Sequence, residues 1–445
     1  MSPRRAPNDL LRGLLREAGW TQERLARAVN TLGGETGLAL RYDRTAVAHW
    51  LAGTEPRAPV PSLVAEALSR RTGRLVRPET AGFEAATPEP GTQDPVGRFL
   101  ALSRSTADPH CREPLQRPYR ALDAAVPALP ARQPARQPGG GPVPHRETVL
   151  ALHDTARRFA ASFNAHGGRP DRSTLSAHLA GEVFPLLRSP GLGPVRRELM
   201  TAASRLAFLL ARMYQDGLRQ GLAQQYFTCA HLLAAEAGDR QTWSVVLRAM
   251  STQAERLGQL PSALRLAEAA AGAAPARPPA QQAYVQAQLA VVLGRVGDRR
   301  GALAAISGAE HATERASGAA GPFAAYPEAA LHFQVSRALD ALGDMSGALA
   351  ALHRSTAARA DTDVRGRALT HARSAELLLR TGRLDEACAA WLRLTHSPVG
   401  LRSGEVEDAL RRMCRMLHPH RRRRGVAGLL ARARARAERV PGGGC

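Results

Sequence analysis

Apolar residues along this chain recur with the period of a helix rather than a strand, nearly from end to end. In "NDLLRGLLREAG" the positions Leu10, Leu11, Leu14 and Leu15 fall on one helical face, and Gly19 ends the segment. "TQERLARAVN" opens a second helix, with Thr21 as N-cap and Leu25, Ala26 and Val29 turned inward. The polar, glycine-containing stretch "TLGGETGLALRY" follows, either extending that helix or forming a wing that carries Arg41. Asp43 then caps a short helix in "DRTAVAHWLAG", which closes on Gly53. On a helical wheel Val47, Trp50 and Leu51 form one apolar stripe that faces a core. Thr45, Ala48, His49 and Ala52 lie opposite, with Arg44 at the N-terminal edge. "PVPSLVAEALSRRTG" adds a buried face through Leu63, Val64, Ala67 and Leu68, and "RPETAGF" a last short helix. Residues 8–83 therefore predict a compact five-helix domain.

The pattern lapses over residues 84–145, where Pro, Gly, Gln and Ala crowd stretches such as "TPEPGTQDP" and "PALPARQPARQPGGGPVPH". Such composition buries too little apolar surface to offset chain entropy, so a flexible linker is expected, with room for one short helix around Val96–Ser103. From Arg146 the helical period returns with an internal repeat. "GQLPSALRLAEAA", "GDRRGALAAISGA", "GDMSGALAALHRS" and "GRLDEACAAWLRL" each set a glycine (258, 297, 343, 382) five residues before an alanine (263, 302, 348, 387). "GLRQGLAQQYFTCA" places Ala223 at the equivalent point in a less regular copy. The glycine suits the turn after one helix, and the alanine lets the next helix pack closely. A fixed period of this length signals stacked helical hairpins. The expected fold is all-α, a helix-turn-helix-like N-terminal domain followed by an α-solenoid over residues 146–410 that resembles tetratricopeptide repeats. Tyr214, Tyr226, Phe227, Trp243, Tyr284, Phe333 and Trp391 are expected to be mostly core.

Composition refines this picture in two ways. The 445 residues carry a net charge of +22, yet every basic side chain besides histidine is arginine, so bulk charge is weak guidance to a partner. Its distribution says more: residues 411–445 hold 11 arginines against one acid, and a basic C-terminal helix and tail is expected there. Cysteines 111, 229, 388, 414 and 445 lie far apart, without metal spacing, and are read as reduced thiols. No apolar run reaches the length needed to span a bilayer. Arg12, Arg16 and Glu17 interrupt the leucines of the N-terminus, unlike a signal peptide. The expectation is a cytoplasmic protein without membrane association.

The first domain carries a specific resemblance. TQ-x-x-LA at residues 21–26, with V-x-x-W-L-x-G at 47–53, resembles the repressor/Cro-type (Xre) helix-turn-helix. "FNAHGGRPDRSTLSAHLAGEVFPLL" and "MYQDGLRQGLAQQYFTCAHLLAAEAGD" are similar to actinobacterial helix-turn-helix regulators with C-terminal tetratricopeptide-like repeats. The resemblance implies a sequence-specific transcriptional regulator associated with the nucleoid. It binds double-stranded DNA as a homodimer, with a peptide, protein or small-molecule effector in the repeat groove. It implies that Arg44, Thr45 and His49 read bases, and that Gln22 and Arg57 meet the DNA backbone, with Arg41 added from the insertion. Chemistry agrees in part: two alanines leave the outer face of the short helix without bulk, and its polar residues can reach base edges.

Little else suggests chemistry. "AHGGR" at 165–169 and "GGG" at 139–141 lack the lysine and preceding strand of a phosphate loop, and the scattered histidines show no ligand spacing. No nucleophile with an activating base can be picked out, so neither catalysis, metal nor cofactor is expected. The competing expectation is a non-enzymatic adaptor whose first domain serves protein contacts.

Overall fold

The computed structural model describes residues 6–84, 94–107, 117–121, 145–188, 193–272, 278–316, 326–398 and 400–438. Cys111, Cys445, most of the Pro/Gly-rich stretches, the 139–141 glycines and the last seven residues lie outside them. Among the described residues every regular element is helical. The order begins with α1 (Asp9–Ala18), α2 (Gln22–Thr36), α3 (Arg44–Leu51), α4 (Val60–Thr72), α5 (Pro95–Ala107), α6 (Arg146–His166) and α7 (Arg172–His178). A π turn leads into α8 (Phe184–Arg188), then α9 (Pro194–Asp216), α10 (Gln220–Ala237), α11 (Arg240–Arg256), α12 (Leu260–Gly272), α13 (Pro279–Val296) and α14 (Arg299–Glu314). The chain closes with α15 (Glu328–Ala341), α16 (Met345–Ala357), α17 (Val364–Arg380), α18 (Leu384–Thr395), α19 (Gly404–Leu417) and α20 (Arg424–Glu438). None of these helices is long and apolar enough to cross a membrane.

The chain divides into two compact units. The first comprises Met1–Leu152, Thr174–Gln215 and Arg219–Ala273, and the second His153–Ser173, Asp216–Leu218 and Ala274–Cys445. In the first, α1–α4 enclose one core around Leu11, Leu25, Val47, Leu63 and Leu68, all fully buried. Leu10, expected on the inner face of α1, is 58% exposed; Ala18 takes its place, giving a stripe of 11, 14, 15 and 18. "RPETAGF" forms a single 3-10 turn, Glu79–Ala81, instead of an α-helix. The side chain of Asn8 caps α1 through the Leu11 amide and donates to the carbonyls of Ala81 and Gly82, stitching the two ends of the domain together.

The span expected to be a flexible linker with room for one short helix around Val96–Ser103 contributes structure to this unit, and α5 forms at that place. Phe99 of α5 is fully buried against Phe184 and Tyr226, at ring-centroid distances of 4.8 and 6.2 Å. Arg120 and Gln224 exchange two hydrogen bonds of 2.9 and 2.6 Å, backbone to side-chain amide, beside buried Tyr119. Two aromatic anchors thus hold segments whose average composition is poor in apolar bulk.

The repeats read from the sequence are paired helices. In the first unit α11 packs on α12; in the second α13 packs on α14, α15 on α16 and α17 on α18. The repeat glycines 258, 297, 343 and 382 have φ between 78° and 88°, the left-handed region where a Cβ is unfavourable. Asp298 and Asp344 follow their glycines and cap the next helix through the Gly301 and Gly347 amides. Alanines 223, 263, 302, 348 and 387 are all fully buried. In the irregular copy the turn position is Leu218, which adopts φ 60° without being glycine. Of the seven aromatics, five are buried, and Tyr284 and Phe333 are half-buried.

A buried ionic knot secures the second unit. Asp216, fully buried, accepts from Arg365 Nε (2.6 Å), the Ser403 hydroxyl (2.6 Å) and the Gly168 amide (3.0 Å). Arg365 also reaches Glu405 at 2.6 Å and lies 4.7 Å above the Phe163 ring. Both carboxylates hold its guanidinium charged against the penalty of burial. Helix α20 packs on α18 and α19 through Val426, Leu429 and Ala433.

Candidate nucleic-acid interface

The short helix α3 is eight residues long because its start and stop are both local. The Asp43 carboxylate accepts the Ala46 amide at 2.9 Å, and the chain leaves through Ala52 and Gly53, whose φ is 98°. Val47, Trp50 and Leu51 are buried at 0%, 4% and 7% exposure, and Tyr42 meets the Trp50 ring edge-on at 5.1 Å. With that side fixed, Arg44, Thr45, Ala48, His49 and Ala52 are all exposed. Arg41 and Arg57, before and after the helix, are exposed as well, and Gln22, first residue of α2, is half-buried.

The insertion after Asn30 extends the second helix: α2 runs to Thr36 through both Gly33 and Gly34. The chain then returns along it in extended form, with Leu38, Leu40 and Tyr42 packed against the core and Ala39 and Arg41 outward. The return ends in a reciprocal clamp. Asn30 Nδ2 donates to the Tyr42 carbonyl, and the Tyr42 amide donates to Asn30 Oδ1, both at 2.8 Å. Residues 31–41 therefore make a closed excursion, and α3 begins beside Asn30 as it would after a short turn. A Cβ on Gly33 would lie 2.7 Å from Leu40 Cδ1 and 3.2 Å from the Leu38 carbonyl, so Leu40 would have to shift to admit one.

The far end of the excursion serves another purpose. Glu35 receives two hydrogen bonds from Arg70, of 2.7 and 2.9 Å, while Arg70 Nε reaches Glu66 at 2.7 Å. The Thr36 carbonyl accepts from the Arg219 guanidinium at the start of α10, at 3.2 Å. A Cβ on Gly258, in the α11–α12 turn, would stand 3.0 Å from the Arg70 carbonyl. The α2–α4 end of the first domain thus rests on the first repeat helices, on a surface separate from α3. Burial pushes the Glu66 carboxyl up to about 7 despite the Arg70 cation beside it, and burial likewise raises the Tyr119 phenol. Sequence reading had no signal for this seam, because Arg70 and Arg219 meet partners far away in the chain.

Among the described residues no group of three His, Cys, Asp or Glu side chains could hold a metal ion. Cys229, Cys388 and Cys414 are free thiols; burial raises the Cys229 thiol to about 12, which leaves it unreactive.

Residues 11–84 match the family model described as the SP15 N-terminal domain. No curated protein matches the chain. Among solved structures it is similar to the crystal structure of the APC/C hetero-tetramer Cut9-Hcn1, at 12% identity and a TM-score of 0.32. That likeness covers 87% of this chain and 58% of the other, so the chain spans somewhat over half the length of that neighbour. The matched family model takes in α3 and its clamp and stops before the repeats.

Proposed function

We propose that this protein is a helical-repeat scaffold whose N-terminal domain reads double-stranded DNA, and that it acts as a transcriptional regulator. The observation that carries the reading is α3. A capped eight-residue helix, braced on one side by Val47, Trp50 and Leu51, offers Arg44, Thr45 and His49 to solvent across a surface made shallow by Ala48 and Ala52. Such a helix suits a major groove, where an arginine fork matches guanine and small residues permit close approach. In this reading Gln22, Arg41 and Arg57 make the phosphate contacts that fix register. One module of this size covers little DNA, so a homodimer on two half-sites supplies useful specificity. The repeats supply the surface for a second copy, a protein partner or an effector.

Genome-wide binding and gel shifts with the intact protein and an Arg44→Ala/His49→Ala variant test this. The wild type is expected to select a two-fold-related motif, and the variant to lose about 10-fold or more in preference for it, from about 1–3 kcal/mol per lost base contact. If the wild type selects no sites, the reading fails.

The second reading, an adaptor without DNA, is favoured by the seam at Arg70 and Arg219, where the same domain already packs against repeat helices of its own chain. In that case α3 is a second protein-facing surface, and Arg44→Ala/His49→Ala weakens a protein complex while leaving DNA irrelevant.

A further inference from the structure

Several arginines of the paired repeats in the second unit meet carboxylates: Arg373 and Arg380 share Asp340, Arg383 reaches Glu386, Arg359 reaches Asp363 and Arg367 reaches Asp361. Others there, Arg299, Arg300, Arg354 and Arg393, are exposed and meet none among the described residues, but they stand singly or as one pair along the chain. The corner joining α19 to α20 gathers more of them: Arg421, Arg422 and Arg423 are consecutive, and with Arg415 they are exposed and meet no carboxylate among the described residues. Exposed Arg421 gives one N–H to the His418 carbonyl at 3.3 Å and keeps the rest of its fork outward. The corner is well supported from behind. Met413 and Leu417 of α19 are fully buried, Val426 and Leu429 of α20 nearly so, and the turn is closed by the amides of Arg421 and Arg423 on the carbonyls of His418 and His420. Clustered cations on a rigid frame repel one another, and an opposing polyanion relieves that repulsion.

The surroundings narrow the class of polyanion. No exposed large apolar residue lies on α19, α20 or the corner, among the described residues. That leaves no anchor to fill a protein pocket, no wedge to enter a bilayer and no aromatic platform for unstacked bases. Evenly spaced phosphates of a duplex need none of these, only guanidinium forks. We infer that the α19–α20 corner, with Arg415 and Arg421–Arg423 at its centre, is a sequence-independent binding site for the phosphate backbone of double-stranded DNA. The inference does not depend on α3.

The test uses the full chain and a duplex of arbitrary sequence. Binding is titrated against salt for wild type, for Arg421→Ala/Arg422→Ala/Arg423→Ala, for the corresponding triple Lys variant, and for each in the Arg44→Ala/His49→Ala background. The expected result is a plot of log K against log salt that is shallower by about 2–3 in the Ala triple, with the wild-type slope kept by the Lys triple. The same difference is expected in the Arg44→Ala/His49→Ala background, whereas sequence preference tracks α3 alone. An unchanged slope in the Ala triple overturns the inference and leaves the reading of α3 standing. A loss confined to vesicles of anionic lipid, with duplex binding intact, also overturns it.

Discussion

The N-terminal domain and the repeats solve the same packing problem with different side chains. Residues 8–83 wrap short helices of unlike sequence around leucines, valines and Trp50 in one shared core. In the α13–α16 repeats the contacts between helices run largely through alanine. One cluster consists largely of Ala287, Ala290, Ala305, Ala309, Ala338 and Ala351, and a Cβ on Gly294 would approach the Ala338 carbonyl to 3.1 Å. The first region is held by side-chain volume, the second by backbone proximity. Loss of volume should therefore damage the domain most, and gain of volume the repeats.

The largest effect expected is from Trp50→Ala, at about 3–5 kcal/mol for a buried aromatic. Hydrogen exchange should show protection lost across α1–α4 while α15–α19 keep theirs. Equal loss in both regions would erase the distinction. Next come two opposite pH dependences. Glu66, near Arg70, Glu35 and Tyr119, titrates near 7 folded against an ordinary 4.5, so its contribution is full below 4.5 and is lost as pH rises toward 7. His231, packed on Trp243 at 5.4 Å between ring centroids, is pushed down by burial to about 4 from 6.5. Its contribution is full above 6.5 and is lost as pH falls toward 4. Each is worth up to about 3 kcal/mol. The two windows overlap and oppose each other, so Glu66→Gln should leave stability rising with pH between 4.5 and 6.5, and His231→Phe should leave it falling there. Ala302→Leu should cost about 1–3 kcal/mol by overpacking, read as faster exchange in α13 and α14 with α1–α4 unaffected. The smallest change expected is a gain. Leu218→Gly removes a left-handed leucine, and a rise in unfolding midpoint worth at most about 1 kcal/mol should follow.

The same difference governs what could be read in the sequence. Repeats were legible because their demands are local: a left-handed glycine, a capping aspartate and a small residue at a fixed offset recur visibly. The exposure pattern of α3 was legible for a similar reason, since eight residues between a cap and a glycine leave one wheel to draw. Tertiary demands were not. Gly33 and Gly34 in isolation leave open whether α2 stops or runs on; it runs through them, with Leu38 and Leu40 packed back on the core. Asp216 looks like a helix-ending aspartate in "MYQDGL", and nothing nearby announces Arg365 and Ser403, 149 and 187 positions away. Phe99 and Tyr119 were hidden by the composition of their surroundings.

The Asn30–Tyr42 clamp has a consequence for how this domain can change. Because both hydrogen bonds close at the base of the excursion, side chains at its tip, around Glu35, can change without tilting α3. The handle that grips the repeats can thus be re-tailored while α3 keeps its aim. Replacing its side chains would change an attachment and leave the exposed face of α3 as it is.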